Sequence, residues 1–150
     1  MSLRLLLFGL ITSLACASGD GTYWVDRSDT ELYNVLAEQC AASLGDGKPV
    51  LITFSASWCP DCQQLNRLSQ QAPMRAELAG WHPVVVNVGD FDRHESLMEA
   101  FGVPAIPYMA AMKPSDCSVP PQRWPRLRVG NVELSTADHF AGWLVQARGA

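Results

Sequence analysis

Two cysteines three positions apart, Cys59 and Cys62, lie where a run of branched apolar residues, Val50 to Phe54, gives way to a helical pattern beginning at Pro60. At that spacing on a helix start the two can close a disulfide. The first sulfur then faces unpaired backbone N–H groups at the positive end of the helix dipole, which favours its thiolate. Cys59 is therefore the expected nucleophile and Cys62 the resolving thiol, and the chemistry is thiol–disulfide exchange. Pro60 suits the first helical turn, where its missing N–H has no partner to lose. Asp61 acts in both directions: its charge suits a helix start but opposes a thiolate on Cys59. The couple is therefore expected to be more reducing than one with an uncharged intervening pair.

A Cys-X-X-Cys can also be a structural bridge or half of a zinc site. Zinc takes about four ligands, commonly a second such motif or a pair of histidines. His82, His94 and His139 are isolated in sequence from one another and from the cysteines, so each reads as a surface or cap residue. No metal or organic cofactor is expected. A purely structural bridge has no need of a strand-to-helix junction or of Trp58 beside it.

The pattern around the motif supplies the elements that must position it. Leu32, Val35, Leu36 and Cys40 make a helical stripe within Thr30 to Leu44, with Asp29 or Thr30 as cap and Gly45-Asp46-Gly47 as terminator. Val50 to Phe54 reads as a buried strand, with Ser55 to Trp58 as the turn after it. A helix from Pro60 to about Gln71 points Leu65 and Leu68 inward, and Pro73 interrupts it before Met74 to Leu78. Val84 to Val88 is a second buried strand, Glu95 to Phe101 a short helix ended by Gly102, and Tyr108 to Met112 a third strand. Leu127 to Val129 and Val132 to Leu134, split by Gly130-Asn131, form the last strand with its lead-in. Ser135 and Asp138 make a capping box for a terminal helix with Phe140, Trp143, Leu144 and Ala147 on one face. Strands alternating with helices predict an α/β sheet with an antiparallel edge.

The chain has 150 residues, 48% apolar and 17% charged, enough for one domain with a hydrophobic core. Its net charge of −4 excludes the one-signed basic surface that nucleic acid demands. Residues 1–17 read as a secretory signal peptide: Arg4, an apolar run from Leu5 to Leu14, then Ala15-Cys16-Ala17. Leu14-Ala15-Cys16 also partly resembles a bacterial lipoprotein cleavage box, with Ser13 where that box usually has leucine. Such a cut would acylate Cys16 and anchor the protein to a membrane; an uncleaved anchor is the third reading. Residues 18–29 are expected as a linker and 30–150 as the folded domain. Export, to the periplasm in a bacterium, would place the remaining cysteines in an oxidising compartment. Cys40 and Cys117 are then a candidate pair, provided that their Cα atoms lie within about 7 Å.

At Val50-Leu51-Ile52-Thr53-Phe54-Ser55-Ala56-Ser57-Trp58-Cys59-Pro60-Asp61-Cys62 the sequence resembles the active-site segment of thioredoxin-like proteins. Phe101-Gly102-Val103-Pro104-Ala105-Ile106-Pro107-Tyr108 is similar to the thioredoxin segment whose Ile-Pro bond is cis and faces the disulfide. The likeness extends over roughly Thr30 to Ala147. Asn87 to Arg93 and Lys48-Pro49-Val50 look closer to exported bacterial thioredoxin-like proteins, including the carboxy-terminal domain of the thiol:disulfide interchange reductase. The resemblance implies a thioredoxin-like fold, a mixed central sheet flanked by helices, with Trp58 in the partner-receiving rim and Pro107 as the cis-proline. Local pattern alone leaves Pro104 and Pro107 in competition, and the family resemblance decides for Pro107. Trp58, Pro60, Asp61, Ile106 and Pro107 then form the surface that meets a protein thiol or disulfide, with the Ile106 backbone pairing with an extended segment.

Two departures stand out. The family's buried Asp, which helps move the resolving thiol's proton, is replaced by Thr53, a hydroxyl that cannot act as a base at ordinary pH. Lys113 to Arg128 holds Pro114, Pro120, Pro121, Pro125, Trp124 and three arginines, and reads either as a stiffened solvated loop or as a partner-recognition surface. The function expected is exchange of disulfides with protein partners, as an exported reductant recharged by a membrane electron donor. The alternatives are a disulfide oxidase or isomerase, and a non-catalytic binding module.

Overall fold

Val50-Leu51-Ile52-Thr53-Phe54-Ser55 forms strand β1 (Val50–Ser55), and all six residues are buried. A strand with apolar side chains on both faces needs a layer of helices on each side. The computed structural model, which describes residues 23–118, 127–128 and 136–149, supplies both layers. Helix α1 (Asp29–Asp46) precedes the strand; α2 (Pro60–Ser69), α3 (Ala72–Leu78), β2 (His82–Asn87), α4 (Glu95–Phe101) and β3 (Tyr108–Met112) follow. A 3-10 turn (Pro114–Ser118), β4 (Leu127–Arg128) and α5 (Ala137–Gly149) complete the order. The sheet runs β2-β1-β3-β4, with β2 parallel to β1 and the other neighbouring pairs antiparallel.

Alternation along the strands sorts the core into two layers. Val50, Ile52 and Phe54 of β1, with Tyr108, Ala110 and Met112 of β3, pack against Leu32 of α1 and Leu97, Met98 and Phe101 of α4. The Phe54 ring centroid lies 5.6 Å from Phe101 and 6.0 Å from Tyr108. Leu51, Met109 and Ala111 face the other way, onto Leu65 and Leu68 of α2, Met74 of α3, and Phe140, Leu144 and Ala147 of α5.

Several boundaries differ from expectation for identifiable reasons. Helix α1 is capped by Ser28, not Asp29 or Thr30, because the Ser28 hydroxyl accepts from the Glu31 N–H while the Glu31 carboxylate accepts from the Ser28 N–H. The first strand keeps Ser55, and α2 stops at Ser69, short of Gln71. Pro73, second residue of α3, has no N–H to offer the Ser69 carbonyl. Strand β2 starts earlier than expected and contains Pro83, tolerated because β2 is an edge of the sheet among the described residues. Only alternate residues of β2, Val84 and Val86, are fully buried. Thr136 caps α5, its hydroxyl accepting from the His139 N–H at 3.2 Å. Ser135, Val132 to Leu134 and the loop residues 119–126 lie outside the described residues. His94 does take a cap position, on α4, but is buried, with Nδ1 2.6 Å from Asp29 Oδ1.

The expected linker, residues 18–29, is fastened to the domain over residues 23–28, and its last residue, Asp29, already opens α1. The Trp24 indole N–H donates to Ser55 Oγ at 2.8 Å, and Arg27 donates to the Val85 carbonyl at 3.4 Å. Cys40 of α1 is bridged to Cys117 of the 3-10 turn, with Cα atoms 5.2 Å apart.

Two measurements test these constraints. The bridge closes a loop of 77 positions, so Cys40→Ser/Cys117→Ser is expected to lose about 2–4 kcal/mol in denaturant unfolding, and mass mapping of the non-reduced protein should show the linked peptides. Asp46, at the end of α1, accepts from His82 Nε2 (2.9 Å) and the Lys48 N–H (3.0 Å), and these bonds, His82 first, hold its carboxyl below its usual range. A group that binds its proton less readily when folded stabilises above the ordinary carboxylate range and loses that effect as pH falls through it. Asp46→Asn should therefore lower the urea midpoint slightly at neutral pH and leave it unchanged in strong acid.

Candidate active site

At the end of β1 the chain turns through Ala56, Ser57 and Trp58 and enters α2 at Pro60. Cys59 is the cap residue of that helix: its φ of −79° and ψ of 117° are extended, and its sulfur accepts the Cys62 backbone N–H at 3.2 Å. A cap is ordinarily a Ser, Thr, Asp or Asn oxygen. A sulfur in its place receives one of the N–H groups that the helix start leaves without an internal partner. The turn is held by the Cys59 N–H on the Ala56 carbonyl (3.3 Å) and by Gln63 Nε2 on the Ser57 carbonyl (2.7 Å). Cys59 and Cys62 are bridged, with Cα atoms 5.2 Å apart. Cys62 is fully buried, whereas Cys59 keeps 5% exposure, so an incoming sulfur meets Cys59 first.

The lead-in to β3 faces this disulfide. The Ile106–Pro107 bond is the only cis bond among the described residues, and Pro104 is in the ordinary trans form. Pro107 is buried, and the Ile106 carbonyl oxygen lies 3.9 Å from Cys59 Sγ. Because Pro107 has no N–H, its backbone offers the sulfur no donor.

Trp58 forms the exposed rim. Half of its surface is open, its indole N–H donates to the Gly89 carbonyl at 2.9 Å, and its ring centroid is 6.0 Å from that of Phe91, itself 44% exposed. The loop beyond β2 is shaped by short-range bonds: Asn87 Oδ1 accepts the Gly89 N–H at 3.2 Å and Asp92 Oδ1 the Asp90 N–H at 3.0 Å. Gly89 has a φ of 58°, and a Cβ there would collide with the Asp92 side chain, so the position demands glycine. Phe91 adopts a φ of 66°, uncommon for a bulky residue.

The structure thus brings Cys59, Cys62, Trp58, Ile106 and Pro107 together, with Pro60 exposed and Asp61 half-buried on the first turn of α2. Thr53 is buried between Val85 of β2 and Met109 of β3. Gly89, Phe91 and Gln63 were not legible as site residues. The Gly-Asp pair following a strand marks a turn at the carboxyl end of the sheet, and that is the signal that points to the first two. Among the described residues no group of three His, Cys, Asp or Glu side chains is placed to hold a metal ion.

Known structures share this arrangement of elements. A disulphide isomerase from Xylella fastidiosa Temecula1 is 22% identical, with a TM-score of 0.68 over 82% of this chain and 94% of that one. The oxidised carboxy-terminal domain of Neisseria meningitidis DsbD is 19% identical, with a TM-score of 0.60 over 83% of this chain and 100% of that one. A Thermus thermophilus thioredoxin is 23% identical, with a TM-score of 0.55 over 73% and 80%. At these identities the likeness shows the fold. No curated protein matches the chain. Residues 33–122, from α1 through the capping cysteine and the cis-proline to the segment past Cys117, match thioredoxin, and the chain belongs to the thioredoxin family.

Proposed function

We propose that the protein is an exported thiol–disulfide oxidoreductase that reduces disulfides of protein partners. The observation that carries this reading is the bridged Cys59–Cys62 pair, whose outer sulfur caps α2 beside cis Pro107. In the dithiol form the Cys59 thiolate, stabilised by the Cys62 N–H, attacks one sulfur of a partner disulfide. The partner S–S bond breaks, a Cys59–partner bond forms, and one partner thiolate leaves. Cys62 then attacks the Cys59 sulfur, re-forming the Cys59–Cys62 bond and expelling the second partner thiolate. Two electrons pass from the cysteine pair to the partner, and a dithiol donor, here assigned to the membrane, must return them. Trp58 and the Ile106 backbone hold the partner, the latter by strand-like pairing. Thr53 cannot take the Cys62 proton, which leaves Asp61, the residue before it, as the nearest charged candidate in sequence.

Two features support export. A Cys40–Cys117 bridge distant from the redox pair is what an oxidising compartment preserves. Residues 1–17, outside the described residues, have the pattern of a signal peptide, with a lipid anchor through Cys16 as its variant.

Insulin reduction driven by dithiothreitol tests the reading: the wild type should turn over, Cys59→Ser should abolish turnover, and Cys62→Ser should accumulate a mixed disulfide with the partner. Titration against glutathione orders the direction. A potential near about −270 mV identifies a reductant, and one near about −120 mV an oxidase. Wild-type turnover no better than that of Cys59→Ser would leave a binding module. Asp61→Asn is expected to change the pH dependence of the resolving step, measured as decay of the mixed disulfide, and an unchanged profile removes Asp61 from the proton path.

A further inference from the structure

We propose that Asp26, in the segment ahead of α1, is a positioning residue for Trp58, acting through Asn87 and Gly89. The proposal rests on the reading of Trp58 as partner-binding rim, and it concerns a residue that no sequence motif singles out. The Asn87 side chain at the end of β2 is engaged at both ends: Nδ2 donates to Asp26 Oδ1 at 2.7 Å, and Oδ1 accepts the Gly89 N–H at 3.2 Å. Those two partners, one acceptor and one donor, fix the orientation of the amide. The Gly89 carbonyl then accepts the Trp58 indole N–H at 2.9 Å. Three hydrogen bonds, joined through the backbone of Gly89, therefore link an acidic side chain of the N-terminal segment to the ring beside Cys59.

Asp26 holds the loop at both ends, because its carboxylate also pairs with the Arg93 guanidinium. One charged group thereby joins the first and last residues of the turn that carries Gly89 and Phe91. The segment bearing Asp26 is itself anchored, by Trp24 on Ser55 and by Arg27 on the Val85 carbonyl. Asp29 on His94 adds a further tie just beyond the turn. Trp58 is half exposed, and without a fixed acceptor its ring would sample several rotamers. A ring already held in place loses less entropy when a partner docks on it. Loss of Asp26 should therefore weaken binding of protein substrates and leave the exchange chemistry of the two sulfurs unaltered.

The test compares Asp26→Ala, Asp26→Asn and Asn87→Ala in three readouts. The first is solvent exchange of the Trp58 indole N–H by NMR, assigned with Trp58→Phe, which requires no activity. The second is kcat and KM for insulin, and the third is the rate at which dithiothreitol reduces the Cys59–Cys62 bridge. Asp26→Ala and Asn87→Ala should speed indole exchange and raise KM about three- to fivefold, the scale of an exposed charged contact, with kcat and the dithiothreitol rate unchanged. Asp26→Asn keeps an oxygen for Asn87 and should restore slow exchange. Unchanged indole exchange in both alanine variants would overturn the proposal, as would a fall in kcat with KM unmoved. Failure of the wild type to reduce insulin would sink the oxidoreductase reading instead, and indole exchange would still decide the role of Asp26.

Discussion

The register of β1 against its two neighbours is the constraint on which the site depends. Phe54 stands opposite both Tyr108 and Val86, so β1, the lead-in to β3 and the end of β2 all reach the same edge of the sheet within a residue or two. From that edge come Cys59, Pro107 and the Gly89 turn. A slip of one residue would carry Phe54 to the opposite face and move Cys59 away from Ile106 together. Burial of β1 on both faces prevents the slip, since Val50, Ile52 and Phe54 have one helical layer to fill and Leu51 the other.

Legibility followed the range of the interactions concerned. The short helix Glu95–Phe101 and the strand Tyr108–Met112 could be read to the residue, because a glycine and a proline beside a periodic run are local signals. The redox pair was readable for the same reason: cysteine spacing and a strand-to-helix junction both lie within a dozen residues. The Ser28 cap is a local signal too, since Ser28 and Glu31 have the spacing of a capping box, although Asp29 and Thr30 compete with Ser28 as cap residues. What escaped was tertiary. Residues 23–28 have a linker's composition, yet Trp24 and Asp26 find partners at positions 55, 87 and 93. Phe91 carries no pattern that distinguishes a rim aromatic from a core one.

The two disulfides occupy contrasting settings. Cys59–Cys62 closes across three positions at a helix start, with one sulfur reachable and accepting an N–H. Cys40–Cys117 joins elements 77 positions apart and packs against the core. Loop closure makes the second a constraint on the unfolded chain, whereas the first constrains little and is free to serve as an electron store. Thr53 in the strand beneath the pair keeps that region uncharged, which spares the core the desolvation of a buried carboxylate and removes a local proton acceptor.

The outer side of β2 has a bearing on how the protein behaves in concentrated solution. Among the described residues no strand pairs with that side, and such an edge can template a strand from another copy, the usual route to edge-to-edge aggregation. Pro83 removes one donor from that side of the chain, and the Arg27 guanidinium covers the Val85 carbonyl two residues on. The segment that reaches the rim of the site thus also shields the sheet from self-association, so trimming it would expose a sticky edge as well as disturb the rim.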